Sequence, residues 1–196
     1  GRMSRGTANT VWARSFADEL ARSGVREVVL APGSRSTPLV MAIARDRRFR
    51  LRVHLDERSA AFFALGVGKA SGRPAAVLTT SGTAAANVLP AVVEACESEV
   101  PLLVLTADRP PRLRGADANQ TVDQLRLYGT HVQAFFDAPP PELGGPELRH
   151  LRTLACRAVA ASLGPPAGPV HVNFPFDKPL EPVEPPEAFT RAHPLA

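Results

Sequence analysis

Short β-rich runs alternate with helix-length segments along the chain, and this alternation constrains the fold more than any other feature. The runs lie at 26–31, 51–55, 75–80, 101–107, 131–136 and 169–174. Strands that are continuously apolar are typical of parallel sheets buried on both faces. The sequence therefore predicts an α/β fold with a doubly wound parallel sheet between two helical layers, and with right-handed crossovers.

The segments between these runs carry helical patterns. Trp12, Phe16 and Leu20 are spaced by four residues and so line one face of a first helix, for which Asn9 or Thr10 is the expected N-cap. The other predicted helices begin near Pro38 or cover 57–71, 83–97 and 146–163, and a short helix is one interpretation of 121–129.

Length and composition are those of a globular domain. The chain has 196 residues, of which 44% are hydrophobic and 21% charged, so wholesale disorder is excluded. From residue 177 onward proline recurs and β-branched residues become scarce. We therefore expect an α/β domain over 1–176, and at 177–196 a proline-rich tail or the start of an interdomain linker.

Charge, cysteine content and hydropathy exclude several classes of function. The formal net charge is only +4 and no nucleic-acid motif accompanies it, so no nucleic-acid partner is expected. Two cysteines, Cys96 and Cys156, cannot build a disulfide framework, and this favours a cytoplasmic location. The five histidines show no ligand spacing along the chain, which predicts no protein-built metal site. The longest uncharged stretch, 74–93, contains TTSGT and is not expected to insert into a membrane.

Four loops follow predicted strands and carry unusual residues. In an open parallel sheet, ligands bind beyond the carboxyl ends of the strands, where such loops converge. The four loops are PGSRST (32–37), DER (56–58), SGT (81–83) and DRPPRLRGADANQ (108–120). Their convergence indicates a binding site more strongly than any one of them.

Each loop also has a plain structural interpretation. The backbone and Arg35 of PGSRST could hold a carboxylate or phosphate, but its hydroxyls could equally cap a helix. Glu57 favours the positive end of a helix dipole, although apolar neighbours could bury it and alter its protonation. Gly82 suits either a tight turn or close approach of a ligand, and Arg109 lies just beyond a strand end.

Five segments, in order and spacing, resemble one enzyme family over residues 10–175. They are PGSRSTPL, HLDERSAAFFALG, TTSGTAAAN, LTADRPPRLRG and ANQTVDQ. The family is that of the thiamine-diphosphate-dependent 2-succinyl-5-enolpyruvyl-6-hydroxy-3-cyclohexene-1-carboxylate synthases, MenD. The resemblance implies a pyrimidine-binding domain of an enzyme that decarboxylates 2-oxoglutarate and adds the succinyl unit to isochorismate in menaquinone biosynthesis.

The resemblance also implies roles for individual residues. Glu57 matches the catalytic glutamate that hydrogen-bonds the pyrimidine ring nitrogen of the cofactor. Guanidinium groups suit the carboxylates of both substrates, and amides suit hydroxyl or carboxylate oxygens. The implied cofactor-facing residues are Glu57, Pro32, Gly33, Ser81 and Gly82, and the implied substrate-binding residues are Ser34, Arg35, Arg109, Asn119 and Gln120.

The chain departs from the family pattern in one large respect. No GDG motif occurs, although family members carry it in a second domain that holds Mg²⁺ or Mn²⁺ and the diphosphate. The fragment alone is therefore expected to be inactive, with the metal ligands elsewhere and a homo-oligomeric full-length enzyme. The alternatives are a separate pyrimidine-binding subunit of a 2-oxoacid decarboxylase, and a non-catalytic anion-binding α/β module.

Overall fold

A single six-stranded sheet forms the centre of the molecule. A computed structural model describes residues 3–192, and the first two and last four positions of the expected domain and tail lie outside that range. All strands are parallel, in the order β2-β1-β3-β4-β6-β5. They are β1 (Glu27–Leu30), β2 (Arg50–Val53), β3 (Ala75–Thr79), β4 (Leu102–Asp108), β5 (Ala134–Asp137) and β6 (Pro169–Pro175). The predicted α/β class is confirmed.

Helices cover both faces of this sheet. They are α1 (Arg5–Arg22), α2 (Thr37–Arg45), α3 (Glu57–Ser71), α4 (Thr83–Ala86), α5 (Leu89–Glu97), α6 (Gly145–Leu163) and α7 (Glu187–Ala192). Short 3-10 turns lie at Ser34–Ser36, Pro111–Leu113 and Gly129–His131. Within the described range, no helix combines the length and apolar character needed to cross a bilayer.

The strand residues alternate between two cores. Val28 and Leu30 face a core shared with α1, α2 and α6, whereas Val29 faces a second core shared with α3 and α5. Trp12 and Phe16 are fully buried in the first core, as their spacing predicts. Because each strand of the sheet centre packs on both faces, its sequence is apolar at successive positions.

The first helix begins earlier than the sequence predicts. Its N-cap is Ser4, whose Oγ accepts a hydrogen bond from the backbone N–H of Thr7 at 3.1 Å. The predicted caps, Asn9 and Thr10, are wrong because both lie inside the helix and are buried. Their polarity serves long-range contacts instead of capping.

Those contacts hold the proline-rich segment against α1. Asn9 Nδ2 donates to the carbonyl oxygens of Asp177 and Pro179, at 2.7 and 2.9 Å. The backbone N–H of Val183 donates to Thr10 Oγ1 at 2.9 Å. Leu180 is 8% exposed and belongs to the first core. Residues 177–183 are therefore packed on the α/β domain.

Two helix predictions fail for local reasons. The segment 83–97 is broken into α4 and α5 because Pro90 lacks an N–H and its ring opposes the carbonyl of Ala86. The segment 121–129 forms no helix. Its buried residues, Gln124 and Tyr128, instead send their side chains into other elements through hydrogen bonds.

The order of the strands reverses between β1 and β3. The chain leaves β1 toward β2 on one side, and leaves β3 toward β4 on the other. Such a topological switch point opens a crevice at the carboxyl ends of the strands. The loops following β1 and β3 touch there, since a Cβ built on Gly33 would lie 2.3 Å from Thr80 Cβ.

A histidine lies within the core of the sheet. His171 on β6 is fully buried, and its Nε2 lies 2.7 Å from Thr106 Oγ1 on β4. Thr106 donates its own proton to Asn173 Oδ1 at 2.8 Å, so it accepts from His171. Burial lowers the pKa of His171 to about 3, opposed by the carboxylate of Asp137. The imidazole is therefore neutral in the folded protein.

We expect the stability of the fold to depend on pH through His171. The unfolded chain binds a proton near pH 6.5 and the folded one only near pH 3. The histidine's contribution is therefore full above pH 6.5 and is lost as the pH falls toward 3, at about 1.4 kcal/mol per pH unit at most. Urea titrations between pH 7 and 4 should show a shallower pH slope for His171→Gln. The exposed His150→Gln is the control and should keep the wild-type slope.

We also expect Asn9→Ala to release the proline-rich segment. Two partly buried carbonyl groups would lose their donor, which costs about 1 kcal/mol. Urea unfolding should report that loss, and limited proteolysis should cut faster within 177–183. Asn119→Ala is the matched control because Asn119 is exposed and its side chain makes no hydrogen bond within residues 3–192. Unchanged proteolysis in Asn9→Ala would contradict this account of the docking.

Candidate functional site

Glu57 is the first residue of α3, at the carboxyl edge of the sheet. The helix is capped by Asp56, whose Oδ1 accepts from the N–H of Ser59 at 2.7 Å. Glu57 itself is half-buried, and its Oε2 accepts from Asn87 Nδ2 at 3.3 Å. Its Oε1 has no partner within the described part of the chain. The carboxylate is thus oriented by one amide and keeps one oxygen for a ligand.

Several large apolar side chains are exposed on the segments that carry Glu57 and its partner Asn87. Leu55, two residues earlier, is 94% exposed, and Phe62 and Phe63 on the first turns of α3 are 41% and 39% exposed. Leu89, at the start of α5, is 38% exposed. Large apolar side chains grouped in this way mark a face that other groups cover.

A second part of the edge joins the loops that follow β3 and β4. Arg109 Nη1 donates to Ser81 Oγ and to the carbonyl oxygen of Gln120, the latter at 2.9 Å. Gln120 Nε2 donates to the carbonyl oxygen of Ser81 at 3.0 Å. Three of the predicted site residues are therefore held together by direct hydrogen bonds.

Arg35 adds a buried cation to this part of the edge. Its side chain is 7% exposed, and its Nη1 donates to the carbonyl oxygen of Phe176 at 2.8 Å. Its Nε is buried and without a hydrogen-bond partner. Burial, and after it repulsion from Arg109, lowers the pKa of Arg35, against the opposing influence of Asp177 and Asp108. An anion between the two guanidinium groups would relieve both costs.

Three further predicted site residues are exposed at this edge. Pro32 and Ser34 are exposed beside Arg35, and Asn119 is exposed beside Gln120. No hydrogen bond or ion pair within residues 3–192 links Glu57 directly to the Arg109 group. The edge thus consists of two neighbouring parts, one carrying the carboxylate and one the cations.

Both glycines of the predicted site are required by the chain itself. Gly82 has φ +83°, and a Cβ there would lie 3.0 Å from Gln120 Cγ. Gly33 is confined by Thr80 in the same way. Close approach of a ligand is therefore not needed to explain either glycine, and their contact with a cofactor stays a prediction.

Gln124 is a site-building residue that the sequence reasoning missed. It is 1% exposed, its Nε2 donates to the carbonyl oxygen of Ala107 and to Asn173 Oδ1, and its Oε1 accepts from the N–H of Gly82 at 2.9 Å. Asn173 in turn donates to Asp108 at 2.9 Å. A signal exists in the sequence, since polar residues occupy alternate positions at the ends of two otherwise apolar strands.

Within residues 3–192, the candidate site has no group of oxygen ligands that could hold a divalent cation. Among residues 3–192, three metal-ligating side chains come within reach of one another at a single place, formed by Cys96, Glu97 and His131. That place lies at the opposite edge of the sheet. Spacing along the chain could not reveal it, because these residues meet only through the fold.

Comparison with known proteins relates this site to a family. Residues 11–127 match the family described as thiamine pyrophosphate enzyme, N-terminal TPP binding domain. A 2-succinyl-5-enolpyruvyl-6-hydroxy-3-cyclohexene-1-carboxylate synthase of Halobacterium salinarum is 58% identical over 99% of this chain and 34% of its own length. The synthase of the same name from Geobacillus kaustophilus is 57% identical over 89% of the chain and 30% of its own length.

The similarity covers nearly the whole of this chain but only about a third of the length of each relative. A synthase of Natronomonas pharaonis is 50% identical over 99% of the chain, which again spans only 35% of that protein. These findings confirm the resemblance inferred from the five segments. The chain belongs to the thiamine pyrophosphate enzymes and carries their N-terminal TPP-binding domain.

Proposed function

We propose that the chain is the N-terminal, pyrimidine-binding part of a thiamine-diphosphate-dependent synthase. Its reaction is the decarboxylation of 2-oxoglutarate and the transfer of the remaining four-carbon unit to isochorismate, in menaquinone biosynthesis. The observation that carries the proposal is the Glu57 carboxylate, half-buried beside an apolar surface, with one oxygen bound to Asn87 and the other free. Relatives that carry the name of this synthase support it.

Glu57 is suited to hold a proton at a ring nitrogen. A carboxylate with one oxygen fixed by an amide presents the other in a defined direction, which general acid–base chemistry requires. Thiamine diphosphate, when bound, supplies the carbon centre at which a bond next to a ketone is broken. Leu55 and Phe63 would exclude water from the ring, and Pro32, Gly33, Ser81 and Gly82 would shape the neighbouring loops.

Arg35 and Arg109 are suited to bind the substrate carboxylates. Both substrates are anions, and burial lowers the pKa of both guanidinium groups, that of Arg35 also through repulsion from Arg109. Planar guanidinium groups pair with carboxylates through two parallel hydrogen bonds, which orients the substrate as well as binding it. Ser34, Asn119 and Gln120 would add neutral donors and acceptors for hydroxyl and carboxylate oxygens.

The proposal extends to the metal, the oligomeric state and the location of the enzyme. Residues 3–192 provide no set of oxygen ligands at this edge for Mg²⁺ or Mn²⁺, so we assign metal binding to another domain. The exposed surface of Leu55, Phe62 and Phe63 supports a homo-oligomer in which a second copy covers the site. A cytoplasmic location fits the two unpaired cysteines.

Glu57→Gln in the synthase that carries this domain should reduce kcat by about 10²- to 10⁴-fold. The amide is isosteric but cannot hold or release the proton. Steady-state kinetics with 2-oxoglutarate and isochorismate measure the loss, and circular dichroism checks the fold. Glu94→Gln, an exposed glutamate on α5, is the matched control and should retain activity. Full activity of Glu57→Gln would favour a non-catalytic anion-binding module.

Arg35→Ala should raise the KM for isochorismate by about 10- to 100-fold, consistent with the loss of a charge-assisted carboxylate contact. The affinity for thiamine diphosphate should change much less. Because Arg35 is buried, its replacement can disturb the fold. Arg109→Gln therefore provides a second test, in which the KM for isochorismate should again change more than the affinity for thiamine diphosphate. The exposed Arg47→Ala is the control. A larger effect on cofactor affinity than on the KM would contradict the assignment of these arginines to substrate.

A further inference from the structure

We propose that Cys96, Glu97 and His131 form a binding site for a zinc-type transition-metal ion. One ligand atom of each residue, a thiol sulfur, a carboxylate oxygen and an imidazole nitrogen, lies within 4.8 Å of the other two. Ligand atoms around a tetrahedral zinc ion are separated by somewhat less than this, because metal–ligand bonds are about 2.0–2.3 Å long. Small side-chain rotations therefore suffice to close the site.

The fold positions the three ligands on two rigid elements. Cys96 and Glu97 are the last two residues of α5. His131 ends the 3-10 turn Gly129–His131, and its N–H donates to the carbonyl oxygen of Tyr128 at 3.1 Å. Tyr128 is 1% exposed, and its hydroxyl donates to the carbonyl oxygen of Ala85 at 2.7 Å. The hydroxyl thus bonds to α4, and the Tyr128 ring lies in the second core together with Ala91 and Val92 of α5, the helix that carries the other two ligands.

The ligand chemistry selects the class of ion. A thiolate and an imidazole are poor ligands for Mg²⁺ and Ca²⁺, which take oxygen, but they suit Zn²⁺ and similar borderline-soft ions. Three protein ligands leave a fourth tetrahedral position for water. The site therefore differs in kind from the magnesium or manganese site assigned to another domain.

The three side chains have no competing partners. Within residues 3–192, none of them takes part in a side-chain hydrogen bond or an ion pair. The other cysteine behaves differently, because Cys156 Sγ donates to Glu19 Oε1 at 3.0 Å. Cys96 and His131 are also half-buried, whereas Cys156 is exposed. Metal binding at Cys96 would therefore displace no existing interaction.

The position of the site indicates what the ion would do. Cys96 and Glu97 precede β4 and His131 precedes β5, so the site lies at the amino edge of the sheet, opposite Glu57. The segment 109–133 contains Arg109, Gln120 and Gln124, and a metal would tie its far end to α5. The ion would thus stabilise the loop that builds the substrate side without contacting the ligands bound there.

The test is a titration of the protein with Zn²⁺ alone, in competition with a chromophoric chelator. We expect one ion per chain, with an affinity that falls at least about tenfold in Cys96→Ser and in His131→Ala, since each variant loses one of three ligands. Co²⁺ in place of Zn²⁺ should give a thiolate-to-cobalt charge-transfer band that Cys96→Ser abolishes. The band identifies the sulfur ligand directly.

Matched controls exist for two of the ligands. Cys156→Ser and His150→Ala, both at exposed positions, should bind Zn²⁺ as the wild type does. If Cys96→Ser fails to fold, Glu97→Gln, at an exposed helix end, provides the same test by weakening the site. Absence of one-to-one binding, or a cobalt–thiolate band that survives Cys96→Ser, would overturn the proposal. Neither result depends on the catalytic role proposed for Glu57.

Discussion

Complete burial of the central strands is the constraint on which the rest of the structure depends. Every residue of β3, β4 and β6 is buried, so polar side chains there need partners inside the protein, and within the described residues only Thr79 Oγ1 and His171 Nδ1 on these strands lack one. Thr106, Asp108, His171 and Asn173 meet this requirement by bonding to one another across two strands, or to the following loop. The polar groups that break the apolar pattern are therefore the ones that fix the carboxyl edge.

Gln124 joins the ends of the strands to the loops through side-chain hydrogen bonds. It contacts the end of β4 at Ala107, the end of β6 at Asn173 and the start of α4 at Gly82. An amide that is both donor and acceptor can satisfy all three at once, which neither a carboxylate nor a hydrocarbon of the same size can do. The loop carrying Arg109 therefore returns to a fixed place although it contains no regular helix.

The sequence was sufficient to predict the sheet, its parallel strands and the edge that carries the site. It was sufficient because burial on both faces leaves a pattern that depends on neighbouring residues alone. It failed for Asn9, which has the residue type of a cap but is used for a contact 168 residues away. It failed likewise for Gln124 and for the grouping of Cys96 with His131, because these depend on elements that meet only after folding.

The two parts of the carboxyl edge have opposite electrostatic character, and this difference organises the proposed chemistry. Glu57 lies among exposed apolar side chains, where a cover that excludes water would strengthen its bond to a ring nitrogen. Arg35 is buried and is repelled by Arg109, so a negatively charged group beside it would be favourable. In the proposed reaction, the cofactor ring would bind at the first part and a substrate carboxylate at the second. A cofactor and an anionic substrate placed in this way would meet between the two parts, next to the segment 81–87, which bonds to Arg109 through Ser81 at its start and to Glu57 through Asn87 at its end.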